Sequence, residues 1–128
     1  MLRRGQRESD GAKVALIADD DRDTRALVAR LLVSRGWRVH ACSDGLNAIQ
    51  ILDEYPVDAA IADIHMSGPA GTFLLKYAAE RWPGCKLVLI SGWVESWAQR
   101  QADALGAAVV TKPFTSAELL DAVGEATG

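Results

Sequence analysis

Several short apolar runs of this sequence end at residues that could take part in metal or phosphoryl chemistry. These residues are Asp19, Asp20, Asp21, Asp63, Ser91 and Lys112. Neighbouring carboxylates repel each other by about 1 kcal/mol per pair in water, and by more where water is excluded. A cation between them offsets that repulsion, and oxygen ligands suit Mg²⁺. A carboxylate can also attack phosphorus, while lysine and hydroxyl groups hold phosphoryl oxygens.

The elements that must position these residues alternate between short apolar runs and longer amphipathic ones. The predicted strands are 13–18, 37–42, 57–63, 86–91 and 107–111, and the predicted helices are 22–35, 46–54, 72–81, 95–105 and 116–126. Continuous apolar strands are typical of a parallel sheet covered on both faces. The alternation therefore predicts a doubly wound α/β fold, in which a five-stranded parallel sheet is the middle layer of a three-layer sandwich. Such folds bring together the residues that follow their strands.

Composition limits the function classes. A chain of 128 residues that is 49% hydrophobic predicts one globular domain, at residues 13–126, after a flexible tail at 1–12. The net charge of -3 disfavours direct nucleic-acid binding. The two cysteines have no CxxC spacing, which fits a reducing compartment. We see no signal peptide or apolar run of membrane-spanning length, so we expect a soluble cytoplasmic protein without membrane contact.

Four motifs carry a family resemblance. In chain order, the segments "ADDDRD", "AAIADIHMSGPAG", "LVLISG" and "TKPFT" resemble the four marks of a response regulator receiver domain. The resemblance covers about residues 13 to 126. It implies the (βα)5 flavodoxin-like receiver fold and a stand-alone receiver of two-component signal transduction, similar to the chemotaxis response regulator.

The resemblance also implies roles for the acids. Asp63 matches the aspartate that accepts a phosphoryl group from a phosphohistidine. Asp19 and Asp20 match the acidic pair that binds Mg²⁺, with Asp20 as the direct ligand and Asp19 acting through water. Asp63 itself and the backbone carbonyl of His65 would complete the protein ligands of the metal.

Two further residues match the phosphoryl-binding positions of the family. Ser91 matches the hydroxyl residue that hydrogen-bonds the phosphoryl group, and Lys112 matches the lysine that pairs with it. Pro113 follows in a peptide bond that is usually cis in the family. The implied partners are a histidine kinase or histidine phosphotransfer protein and an unknown downstream protein, with a homodimer possible. The implied chemistry is self-phosphorylation and self-dephosphorylation, not that of a turnover enzyme.

The chain departs from the family pattern in three places. In the loop "MSGPAG", Ser67 stands where a proline is usual and Ala70 where an aspartate is usual. Val109 stands where the family usually has an aromatic residue that moves on activation. Trp93 and His65 match positions on the access route to the phosphoryl group, so a bulky Trp93 predicts slow self-dephosphorylation. Trp93 and Trp97 are four residues apart, and for this pair we favour packing over an exposed patch.

These departures leave alternatives open. A degenerate receiver that binds a partner without phosphorylation fits the unusual loop and Val109. A small aspartate-nucleophile phosphatase is disfavoured by the short chain and the lack of a late acidic pair. Asp21 and Asp23 are interpreted as ordinary acids at a helix start, because helix N-termini favour aspartate.

Overall fold

A computed structural model describes residues 11–125, which form five strands and five helices in strict alternation. The elements are β1 Val14–Ala18, α1 Arg22–Val33, β2 Arg38–Cys42, α2 Gly45–Glu54, β3 Ala59–Asp63, α3 Gly71–Arg81, β4 Lys86–Ser91, α4 Ser96–Leu105, β5 Ala108–Thr111 and α5 Ser116–Ala122. The strands lie in the order β2-β1-β3-β4-β5, and every neighbouring pair is parallel. The predicted doubly wound sheet is confirmed.

The element ends differ from prediction by a few residues. Helix α1 stops at Val33 and not at residue 35, and the left-handed Gly36 (φ 86°) follows one turn later. Helix α5 stops at Ala122, ahead of the predicted end, because Gly124 adopts a left-handed backbone conformation that does not continue the helix. Its capping box, made by Thr115 and Glu118, is present. The predicted tail at 1–12 and the predicted helix end at 126 lie mostly or wholly outside the described residues.

Two apolar cores lie on opposite faces of the sheet. Successive residues of a strand point to opposite faces. Ile17 of β1 therefore packs with Val28 of α1 and Leu119 of α5. Its neighbour Leu16 belongs to the other core, with side chains of α2, α3 and α4. This is the expected three-layer sandwich.

Helix α4 is attached to its core differently from α3. The buried residues of α4 are Ala98 and Ala102, whereas α3 buries Leu74 and Leu75 among others. The tryptophans near the start of α4 are 62% (Trp93) and 42% (Trp97) exposed. The packing favoured for this pair is therefore not found against the sheet, which the small alanines face in place of the tryptophans.

The register of the sheet sets where each strand ends. Ala18 pairs with Ala62, Asp63 with Ile90, and Ser91 with Thr111. The strands β1, β3, β4 and β5 thus end nearly level, and the residues that follow them meet at one edge. No helix within residues 11–125 is long and apolar enough to cross a membrane.

Candidate functional site

Three predicted site residues meet at the carboxyl edge of the sheet. The Lys112 ammonium nitrogen, Nζ, lies 3.0 Å from Asp19 Oδ2 and 3.3 Å from Asp63 Oδ2. Asp19 is fully buried and Asp63 is 5% exposed. We call these residues the acid–lysine cluster. One cation facing two buried carboxylates forms a small charged centre that is open on one side.

The protonation of this cluster is set by burial and mutual charge. Burial raises the pKa of Asp19 to about 6, although a hydrogen bond from the Asp21 amide and the Lys112 ammonium both act against that rise. Burial alone would lower the pKa of Lys112, but the neighbouring Asp19 and Asp63 outweigh it and the pKa is raised. Lys112 therefore stays an ammonium. The ionised form of Asp19 is disfavoured, because burial removes water from its carboxylate.

A third acid completes a set of possible metal ligands. One carboxylate oxygen from each of Asp19, Asp20 and Asp63 lies within 4.8 Å of the others, and Asp20 reaches the site from the exposed side. Asp19 Oδ2 is buried and faces the Lys112 ammonium nitrogen at 3.0 Å. An all-oxygen site with three converging carboxylates fits a hard cation such as Mg²⁺. The cluster could therefore hold a metal.

The next acids in the chain have a separate structural role. Asp21 is the N-cap of α1, where its side chain accepts hydrogen bonds from the Asp23 amide at 3.2 Å and from Thr24 Oγ1 at 2.6 Å. The Thr24 bond is the main reason that the pKa of Asp21 is lowered. Asp23 lies in the first turn of the helix. The interpretation of Asp21 and Asp23 as helix-start acids is confirmed.

Two strand ends carry the remaining predicted residues. The His65 amide donates to Asp63 Oδ1 at 3.1 Å, so His65 lies directly beside that carboxylate. Ser91 is 1% exposed at the end of β4, where its hydroxyl oxygen lies 3.5 Å from the Trp93 amide. The bond between Lys112 and Pro113 is cis, as the family resemblance implied. All predicted site residues are thus on the same edge of the sheet.

Above this edge, side chains of two loops contact each other. The rings of His65 and Trp93 stack with centroids 4.5 Å apart. Glu95 Oε1 accepts a hydrogen bond from Trp93 Nε1 at 2.6 Å and lies 3.3 Å from His65 Nε2. We call these residues the lid. Sequence reasoning missed Glu95, and also missed Arg25, whose Nη1 donates to the Asp19 carbonyl at 2.9 Å.

The unusual loop after β3 packs on the start of α2. The Gly45 amide donates to the Ser67 carbonyl at 3.1 Å, and a Cβ at Gly45 would lie 2.5 Å from the Pro69 carbonyl oxygen. Gly68 turns the loop with φ 79°. Ala70 provides no side-chain cap for α3. The loop that departs from the family pattern is therefore held by a backbone hydrogen bond to Gly45. It can approach α2 this closely because Gly45 has no side chain.

Glycine is also required where the same loop enters α3. A Cβ at Gly71 would overlap the Asp63 carbonyl oxygen. Helix α3 therefore begins in direct contact with the end of β3.

Val109 of β5 stands where the family usually has an aromatic side chain. It is half-buried and packs against the core that includes the alanines of α4.

Comparison with known proteins shows the same family throughout. The model of the response regulator receiver domain matches residues 15–124. The sensor kinase CckA of Brucella abortus is 31% identical over 119 residues, which are 90% of this chain and 12% of that protein. The receiver protein CpdR of the same organism is 30% identical over 112 residues, covering 87% of this chain and 93% of CpdR. The chain thus spans a small part of the kinase and most of CpdR.

Solved structures agree with the sequence relatives. A receiver protein from Sinorhizobium medicae is 32% identical with a TM-score of 0.77, covering 90% of this chain and 94% of that one. A receiver domain protein from Methanospirillum hungatei is 25% identical with a TM-score of 0.81, covering 87% and 90%. The family match over nearly the whole described chain, together with the charged edge of the sheet, leads to one conclusion: this chain belongs to the response regulator receiver domains of two-component signalling.

Proposed function

We propose that this chain accepts a phosphoryl group on Asp63 from the phosphohistidine of a histidine kinase or histidine phosphotransfer protein in the cytoplasm. The observation that carries the proposal is the acid–lysine cluster, in which the Lys112 ammonium faces both Asp63 Oδ2 and the buried Asp19. An ammonium fixed beside a carboxylate is suited to pair with the phosphoryl oxygens that arrive there. The family match to receiver domains supports the same reading.

The transfer can be written for the residues on the page. An oxygen of Asp63 attacks phosphorus, the N–P bond of the phosphohistidine breaks, and the imidazole leaves with the bonding electrons and takes up a proton. Lys112 pairs with a phosphoryl oxygen, and Ser91 donates a hydrogen bond to another. Mg²⁺, when bound by Asp19, Asp20, Asp63 and the His65 carbonyl, supplies positive charge to the phosphoryl oxygens.

The resulting signal would be a change in binding to a downstream protein. Val109 has no aromatic ring to move, so a relay through β5 cannot run in the way usual for the family. The lid lies beside the proposed phosphoryl site, because the His65 amide donates to Asp63 and Trp93 stacks on His65. We therefore propose that the phosphoryl group is lost slowly.

Intact-mass measurement after incubation with acetyl phosphate and Mg²⁺ tests the proposal. A single phosphate adduct should form in the unaltered chain and be absent in Asp63→Asn and in excess EDTA. Asp121→Asn, which changes an exposed acid on α5, is the matched control and should keep the adduct. An adduct that persists in Asp63→Asn would place the phosphate elsewhere and overturn the assignment.

The second candidate is a receiver that binds its partner without phosphorylation. The loop at Ser67 and Ala70 and the replacement at Val109 favour it, because they alter parts that usually carry the response to phosphate. Failure of the unaltered chain to form any adduct, despite measurable Mg²⁺ binding, would support this candidate. Steady turnover of a phosphate monoester would instead support the disfavoured phosphatase reading.

A further inference from the structure

We propose that Glu95 is a positioning residue that holds Trp93 on His65 and thereby lengthens the life of the phosphoryl group on Asp63. The inference rests on the proposed function, since it concerns the loss of that phosphoryl group. Glu95 reaches neither Asp63 nor Lys112 in the contacts of this structure. It acts through the two rings of the lid.

One carboxylate oxygen of Glu95 contacts both rings. Glu95 Oε1 lies 2.6 Å from Trp93 Nε1 and 3.3 Å from His65 Nε2. The rings are inclined by 29° with centroids 4.5 Å apart, which is a stacked arrangement. The carboxylate therefore ties an indole from the loop after β4 to an imidazole from the loop after β3. Hydrogen bonds to an ionised acceptor are shorter and stronger than those between neutral groups.

The Glu95 side chain contacts the two rings and does not cap its own helix. Glu95 is the N-cap residue of α4, a position where an acidic side chain often accepts from a helix amide, yet it makes no such bond. Its second oxygen, Oε2, is buried and has no hydrogen-bond partner among the described residues. An oxygen left without a partner is unfavourable. The contacts of Oε1 with the two rings are what offset that cost.

The lid is in the right place to affect hydrolysis. The His65 amide donates to Asp63 Oδ1, and the Trp93 amide lies beside Ser91 Oγ. In hydrolysis, a water oxygen attacks phosphorus in line with the bond to Asp63. That P–O bond breaks, the carboxylate is restored and inorganic phosphate leaves with the protons of the water. Rings fixed beside the phosphoryl group exclude water from this path, whereas rings free to rotate would admit it.

The first test is the lifetime of the adduct, measured by intact mass after removal of acetyl phosphate. Glu95→Ala should shorten the lifetime by a factor of about 3 to 10, the range expected for loss of one strong hydrogen bond. Glu95→Gln keeps an acceptor oxygen without the charge, so this variant should retain most of the lifetime of the unaltered chain. Glu80→Ala removes an exposed acid of α3 and is the matched control, with an unchanged lifetime.

A double variant separates positioning from direct action. If Glu95 acts through the indole, Trp93→Ala should shorten the lifetime, and Glu95→Ala should add little more in that background. An unchanged lifetime in Glu95→Ala overturns the proposal. So does a Glu95→Ala effect that persists in full when Trp93 is alanine, because Glu95 would then act on the reacting groups themselves.

The second test needs no phosphate. The Trp93 indole N–H should give a ¹⁵N-resolved proton resonance, identified by its loss in Trp93→Phe, that moves in Glu95→Ala and stays near its place in Glu95→Gln. A resonance that ignores Glu95→Ala would refute the contact even if phosphorylation occurs. Conversely, a chain that forms no adduct but shows the resonance shift would overturn the proposed function and leave the contact standing.

Discussion

The acid–lysine cluster and the lid lie within a few residues of each other, yet they are built by different means. Asp19, Asp63 and Lys112 lie at the ends of strands that are level in the sheet, and the two acids are buried. The lid is made by partly exposed side chains on the loops after β3 and β4, held by one another. The register of the sheet therefore sets the geometry of the charged centre. The loop paths set the geometry of the lid, so under the proposed function a few loop substitutions would change the phosphoryl lifetime without changing the centre.

The sharpest way to break this comparison is to remove the cation of the acid–lysine cluster. Lys112→Ala should slow adduct formation from acetyl phosphate about 100-fold, as for other fixed charges that stabilise a transferring group. Mg²⁺ binding should persist or tighten, because the carboxylates lose their competing ammonium. Mass spectrometry follows the first quantity and titration calorimetry the second.

Lys76→Ala, on the exposed side of α3, is the control for Lys112→Ala and should change neither quantity. A loss of Mg²⁺ binding in Lys112→Ala with normal circular dichroism would contradict the view that Lys112 takes no part in holding the metal.

A smaller effect is expected from the contact between β3 and α3. Gly71→Ala places a Cβ against the Asp63 carbonyl and should lower the free energy of unfolding by about 2 kcal/mol, typical of overpacking. Gly92→Ala meets nothing within 4 Å, so it should change that free energy by less than about 0.5 kcal/mol. Urea denaturation measures both. Equal effects of the two substitutions would mean that α3 does not press on the strand end.

The third prediction divides the consecutive acids of the first loop. Asp20→Asn should weaken Mg²⁺ binding by at least about tenfold while leaving thermal stability nearly unchanged. Asp21→Ala should do the reverse, because it removes the N-cap of α1 and lowers the melting temperature by a few degrees. Calorimetric titration and thermal scans of both variants would show whether the two roles are as separate as the hydrogen bonds suggest.

Much of the charged centre could be predicted because it depends on regular structure. Short apolar runs mark the strands, and a parallel sheet brings the residues that follow them to one edge. Asp19, Asp63 and Lys112 could therefore be predicted to converge, and the structure brings Lys112 Nζ within 3.3 Å of both carboxylates. The helix-start role of Asp21 followed from its place before an amphipathic segment, which is again a local signal.

The lid could not be predicted in full because it depends on loop paths. Trp93 and His65 could be placed near the site, but Glu95 lies at a helix start, where an acid is commonplace. Its use became visible only when the two loops were seen to bring an indole and an imidazole to the same oxygen. The contact of Ser67 with Gly45 is similar, since nothing in either segment marks the other as its partner. Trp97 was expected to pack because its side chain is large and apolar, but it is exposed.

The alanine contacts of α4 have a mechanical consequence. Apolar burial stabilises a contact by about 25 cal/mol for each Å² removed from water. Ala98 and Ala102 each offer one methyl group, whereas α3 is anchored by leucines and is also joined to α2 by the bond from Trp82 Nε1 to the Leu52 carbonyl at 2.8 Å. Of the helices on this face, α4 therefore buries the smallest side chains. Since Glu95 stands immediately before the first turn of α4, a displacement of the lid would act on the helix of that layer with the least apolar anchoring.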